Sequence, residues 1–124
     1  MKLTPVYLIT HTCNSIGYFT RLAATRASSE YVITKSANDE YTLKTISTFG
    51  ESAITFRDGV EFEEDRLDGN RVRTVITIRG NKWIQKQYHD KNVTIVREFH
   101  PSGDITVTSV VNGVVCVRKY TKTA

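Results

Sequence analysis

Of the chain's 124 residues only two are cysteines, Cys13 and Cys116. They are too few for a zinc site and too far apart for a redox pair, so reduced thiols in a cytoplasmic protein are the simplest reading. No apolar run reaches the 18 residues or more of a membrane-spanning helix. The opening Met1-Lys-Leu-Thr-Pro-Val-Tyr-Leu-Ile-Thr10 has a short apolar part broken by Pro5 and no clear cleavage site after it, which argues against a signal peptide. Lysine and arginine exceed the acids only by 17 to 13, a net charge of +4 with the signs interspersed. No basic block marks a nucleic-acid stripe. Histidine is scarce: His11, His89 and His100 are scattered, and no Ser/His/Asp or Cys/His set has a local signature. A glycine-rich phosphate loop and zinc-ligand spacing are both missing. The expectation is a protein that is not an enzyme and has no metal and no cofactor.

What is present suits a soluble globular domain: 40% hydrophobic and 24% charged residues. The length predicts one domain over residues 1–124, large enough for a real core. Residues 1–17 carry no convincing helix period and read as a strand or an irregular lead-in. Around Ser15–Ala27, Phe19, Leu22, Ala23 and Arg26 fall at helical spacing, which predicts the one helix. From Tyr31 onward the chain alternates short strand signals with turn chemistry. The predicted strands are Tyr31–Lys35, Tyr41–Ser47, Ser52–Phe56, Val60–Glu64, Arg71–Ile78 and Lys82–Tyr88. Val93–Phe99, Ile105–Val111 and Val114–Tyr120 follow, the last two joined by Asn112-Gly113, a type I′ hairpin signal. About nine strands at this spacing make an all-β meander, closed into a barrel or clam, with a β-sandwich as the rival architecture. The run Glu61, Glu63, Glu64, Asp65 reads as an acidic, solvated strand end.

Two arginines stand out. Val93, Ile95, Arg97 and Phe99 share one face of a strand, as do Val114, Cys116, Arg118 and Tyr120. An unpaired buried cation costs several kcal/mol, and arginine cannot shed its proton. Either both arginines face water or an anion meets them inside. Glu98 and Lys119 favour the opposite rows as the wet ones, which places Arg97 and Arg118 inside, where a carboxylate would suit them. Likewise, if Lys86 faces water, Gln85 and Gln87 point inward. A packed core resists amides, whereas a wet ligand cavity tolerates them.

Several stretches in order carry a family likeness: Ser47-Thr-Phe-Gly-Glu51, Gly59-Val-Glu-Phe-Glu-Glu-Asp-Arg-Leu-Asp-Gly-Asn-Arg-Val-Arg-Thr-Val-Ile-Thr77, Thr94-Ile-Val-Arg-Glu-Phe99 and Val115-Cys-Val-Arg-Lys-Tyr120. From about Ile16 to its end the chain resembles the intracellular lipid-binding proteins, which comprise the fatty-acid-binding and cellular retinoid-binding proteins, and it is closest to the former. The resemblance implies a ten-stranded antiparallel β-clam of the lipocalin-like type, nine-stranded if the first strand is missing, with a helical lid near the N-terminus. It implies a cavity whose ligand carboxylate is held by Arg97, Arg118 and Tyr120, with Gln87 near the head group and Phe49 in a portal loop against the ligand tail. Tyr18, Phe19 and Arg21 match part of the lid. Residues 1–15 depart from the family pattern, showing neither its first-strand motif nor its first lid helix. Asn70 stands where many members carry an arginine, beside the aspartate matched by Asp68.

The expected function is therefore cytoplasmic binding and transport of long-chain fatty acids by a monomer, with transient membrane contact and no nucleic-acid partner. The alternatives are a carrier of retinoic acid or another carboxylate lipid, and a β-barrel interaction module that binds no lipid.

Overall fold

The computed structural model describes residues 2–6, 30–47, 50–65, 70–88, 92–111 and 113–122. Ten strands follow in chain order: β1 (Lys2–Val6), β2 (Glu30–Lys35), β3 (Tyr41–Ser47), β4 (Gly50–Phe56), β5 (Phe62–Asp65), β6 (Arg71–Arg79), β7 (Lys82–Tyr88), β8 (Val93–Phe99), β9 (Ile105–Val111) and β10 (Val114–Lys122). They form one antiparallel sheet in the order β4-β3-β2-β1-β10-β9-β8-β7-β6-β5. The rival sandwich is excluded, and every strand read from the sequence is found within two residues of its expected ends. The predicted helix and lid fall outside the described residues.

The strand that alternation did not settle is β1. It joins the two halves of the sheet, pairing with β10 from Leu3↔Lys122 to Val6↔Lys119 and with β2 at Lys2↔Val32 and Leu3↔Tyr31. The β2 ladder stops before Pro5, whose missing N–H could not serve it. Closure thus depends on a strand whose sequence is weak and whose two neighbours supply the pairing. At the other end of the order no ladder joins β4 to β5 among the described residues.

Turn chemistry sets the register. Gly80 takes φ 58° at the first central position of the two-residue β6–β7 turn, and Gly113 takes φ 78° before β10, conformations that cost glycine little. Alternation then sorts the faces: on β7, Trp83, Gln85 and Gln87 are buried while Lys82, Lys86 and Tyr88 are exposed. Two apolar clusters form. One joins Tyr31, Leu43, Val93, Ile95, Ile105, Val107, Val111, Cys116 and Tyr120. The other joins Phe56, Ile76 and Trp83, with Trp83 edge-on to Tyr41, Phe56 and Phe99 at centroid distances of 5.3, 5.2 and 5.0 Å. These aromatic contacts add to simple burial.

Cys116, expected as a reduced thiol, is disulfide-bonded. Sequence spacing alone could not show this, because pairing depends on which strands the fold brings together; Cys13 lies outside the described residues.

Candidate functional site

Register places the two arginines together. Arg97 on β8 lies opposite Val107, and Val107 lies opposite Arg118 on β10. The guanidinium groups therefore rise from one transverse row, two strands and roughly 10 Å apart at the backbone. Both are inward, Arg97 only 3% and Arg118 7% exposed, as the outward rows of Glu98 and Lys119 implied. Tyr120, two residues along the same face of β10, is fully buried and stacks on Tyr31 at 4.3 Å. The Arg97 guanidinium lies 5.9 Å from the Tyr31 ring centroid, within cation–π range.

A polar chain leads away from Arg97. Its Nη1 donates to Gln85 Oε1 at 2.6 Å, and Gln85 Nε2 donates to Glu64 Oε2 at 2.6 Å. The same Glu64 oxygen accepts from Gln87 Nε2 at 3.0 Å and from Thr74 Oγ1 at 2.7 Å. Four strands, β5 to β8, are thereby tied across the interior by side chains. A buried amide costs little when both its ends are bonded, as they are in Gln85.

Other donors are left over. Arg97 Nε, Arg118 Nε and Arg118 Nη2 are buried with no hydrogen-bond partner among the described residues. Each unmet donor costs on the order of 1–3 kcal/mol, more on a charged group. Two surface arginines behave differently: Arg71 reaches Asp65 and Glu63 at 3.1 and 3.3 Å, which holds its guanidinium above its ordinary pKa, and Arg73 reaches Glu61 at 3.6 Å. Glu61, Glu63 and Asp65 thus neutralise outward cations, while the inward pair keeps donors to spare.

Arg97, Arg118, Tyr120, Glu64, Gln85 and Gln87 line a cavity of about 480 Å³, whose wall also takes in Leu43, Ile54, Phe62, Ile95 and Val107. Residues of both β4 and β5 belong to the wall, so the cavity lies against the unladdered seam between them. Its wall mixes these apolar side chains with a larger set of polar and charged ones, and a concave site with convergent polar groups suits a small molecule. Among the described residues no cluster of histidine, cysteine, aspartate and glutamate could hold a metal, and no helix is long and apolar enough to cross a membrane.

Of the residues singled out in the sequence, Arg97, Arg118, Tyr120 and Gln87 meet at this cavity. Phe49, and with it Tyr18, Phe19 and Arg21, lies outside the described residues. Glu64 overturns the reading of its segment as wholly solvated: Glu63 and Asp65 are exposed, but Glu64 turns inward beside Phe62. Period-2 alternation from Phe62 carried that signal. A carboxylate enters the interior because three donors converge on one of its oxygens.

A comparison with protein-family models finds no match. Relatives are nevertheless clear. A fatty acid-binding protein of Tyrophagus putrescentiae is 49% identical over 106 residues, covering 85% of this chain and 79% of that protein. One of Lepidoglyphus destructor is 42% identical over the same shares. Among solved structures, the fatty acid-binding protein from brain tissue of Drosophila melanogaster superposes with a TM-score of 0.84 at 38% identity, covering 98% of this chain and 97% of that one. A Schistosoma mansoni fatty acid binding protein in complex with arachidonic acid, 24% identical, shares the fold with a TM-score of 0.82 over 99% of this chain and 94% of that one. The ten-stranded antiparallel sheet and its interior cavity thus have the fold of solved fatty acid-binding proteins. With these relatives beside it, the chain belongs to the fatty-acid-binding protein family.

Proposed function

We propose that this chain binds and carries long-chain fatty acids, non-enzymatically, with the ligand carboxylate held by Arg118, Tyr120 and Arg97. The observation that carries this reading is the set of buried guanidinium N–H groups on Arg97 and Arg118 that meet no acceptor among the described residues. A carboxylate supplies both the missing charge and the missing acceptors, and can take two N–H groups of one guanidinium side by side. The Tyr120 hydroxyl belongs to the same site because Arg118 and Tyr120 are two residues apart on one strand face. Methylene groups of the chain would rest on the apolar wall, each contributing about 0.8 kcal/mol of burial.

Displacement of a fluorescent fatty acid by oleate and by oleyl alcohol tests this reading. Oleate is expected to compete roughly ten-fold or more better, since a hydrogen bond to a charged group contributes about 1.5–3 kcal/mol. Equal potency of acid and alcohol would overturn the role given to the arginines.

A further inference from the structure

We propose that Glu64 and Gln87 form a second polar subsite in this cavity, one that accepts hydrogen bonds. It would take a hydroxyl borne on the carboxyl-proximal part of a fatty acid ligand. The inference rests on the fatty-acid reading above and narrows its substrate class.

The polarity of the interior chain is dictated from both ends. Arginine only donates, so the Gln85 atom facing Arg97 at 2.6 Å is its oxygen. The Gln85 nitrogen must then face Glu64, whose carboxylate only accepts. Gln87 also turns its nitrogen to Glu64, at 3.0 Å, which leaves its oxygen pointing elsewhere. That oxygen is buried in a side chain only 4% exposed and has no hydrogen-bond partner among the described residues. On Glu64 three donors fall on Oε2, and among the described residues no hydrogen bond reaches Oε1. Both residues line the cavity.

The cavity therefore has two poles of opposite kind. At Arg97 and Arg118 spare donors await an acceptor; at Glu64 and Gln87 spare acceptors await a donor. A plain hydrocarbon chain meets only the first need, and methylenes laid against an unmet acceptor leave its desolvation uncompensated. A hydroxyl meets the second. Its position along the chain follows from the geometry. Arg97 Nη1 and Glu64 Oε2 are separated by two 2.6 Å hydrogen bonds and one amide group. That path cannot exceed about 8 Å, given amide bond lengths of about 1.2–1.3 Å. The hydroxyl must then lie near the carboxylate and not at the far end of a long chain.

The test titrates delipidated full-length protein with three acids: stearate, stearate hydroxylated in its carboxyl-proximal half, and stearate hydroxylated at its terminal carbon. The proximally hydroxylated acid is expected to bind roughly three- to ten-fold tighter than stearate, the yield of one net hydrogen bond. The terminally hydroxylated acid should show no such gain. In Glu64→Gln three donors still claim the one remaining oxygen, so the amide NH₂ turns to the cavity and an acceptor becomes a donor. The preference for the proximal hydroxyl should disappear there, and it should shrink in Gln87→Met. If the wild-type protein binds all three acids equally, the subsite is overturned while the fatty-acid reading stands. If none of the acids binds, both fall. A preference retained in both variants would also overturn the assignment.

Discussion

Replacing Arg118 by leucine should strengthen the ligand-free fold and weaken binding, a pair of signs that ordinary core damage does not produce. Arg118 is 7% exposed, and its Nε and Nη2 have no partner among the described residues. Exchanging a buried charge for a hydrophobic side chain of similar size is often neutral, or stabilising by about 1–4 kcal/mol. In a chain of this length each kcal/mol moves Tm by roughly 4 °C. The ligand-free Tm of Arg118→Leu should therefore stay level or rise by several degrees. Fatty-acid affinity should fall about ten- to a hundred-fold with the lost charge-assisted hydrogen bonds. Arg97→Leu is a built-in contrast. Arg97 donates at 2.6 Å to Gln85 Oε1, and its removal orphans that buried acceptor at a cost of about 1–3 kcal/mol. It also loses the Tyr31 ring face. Its Tm should consequently lie below that of Arg118→Leu by several degrees, although both variants bind less tightly. Thermal melts and fatty-acid titrations of the two variants check this. A lower Tm in Arg118→Leu together with unaltered affinity would refute the reasoning, because the guanidinium would then be structural and not a ligand group.

Three further outcomes are expected. Trp83→Ala should cost about 3–5 kcal/mol in urea unfolding, since it empties the space between Tyr41, Phe56 and Phe99; a loss under about 1 kcal/mol would contradict that packing. Amide hydrogen exchange should be faster in β4 and β5, each laddered on one side, than in β7 and β8, laddered on both, and equal protection would contradict the open seam. Thiol titration under denaturing conditions should find no free thiol before reduction and two after it, and titratable thiol in the unreduced protein would contradict the disulfide at Cys116.

Much of this was legible in the chain itself. Alternation on Lys82–Tyr88 and Val93–Phe99 gave both strand bounds and faces, because a side-chain period of two leaves no freedom once one face is wet. Lys86, Glu98 and Lys119 marked the outer rows and so sent Gln85, Gln87, Arg97 and Arg118 inward. Motif resemblance gave the family and its fold. Beyond the disulfide at Cys116, two things stayed open in the sequence. β1 has a weak pattern broken by Pro5, and it becomes a strand because β2 and β10 offer ladders on either side of it. Glu64 sits in an acidic run that reads as solvated, and only the fold decides its partners: Thr74, Gln85 and Gln87 come from two other strands, 10 to 23 residues away. A strand's alternation says which side a residue faces. It cannot say which side chains from distant strands will be there to meet it, and for a charge in the interior those partners determine whether burial is tolerated at all.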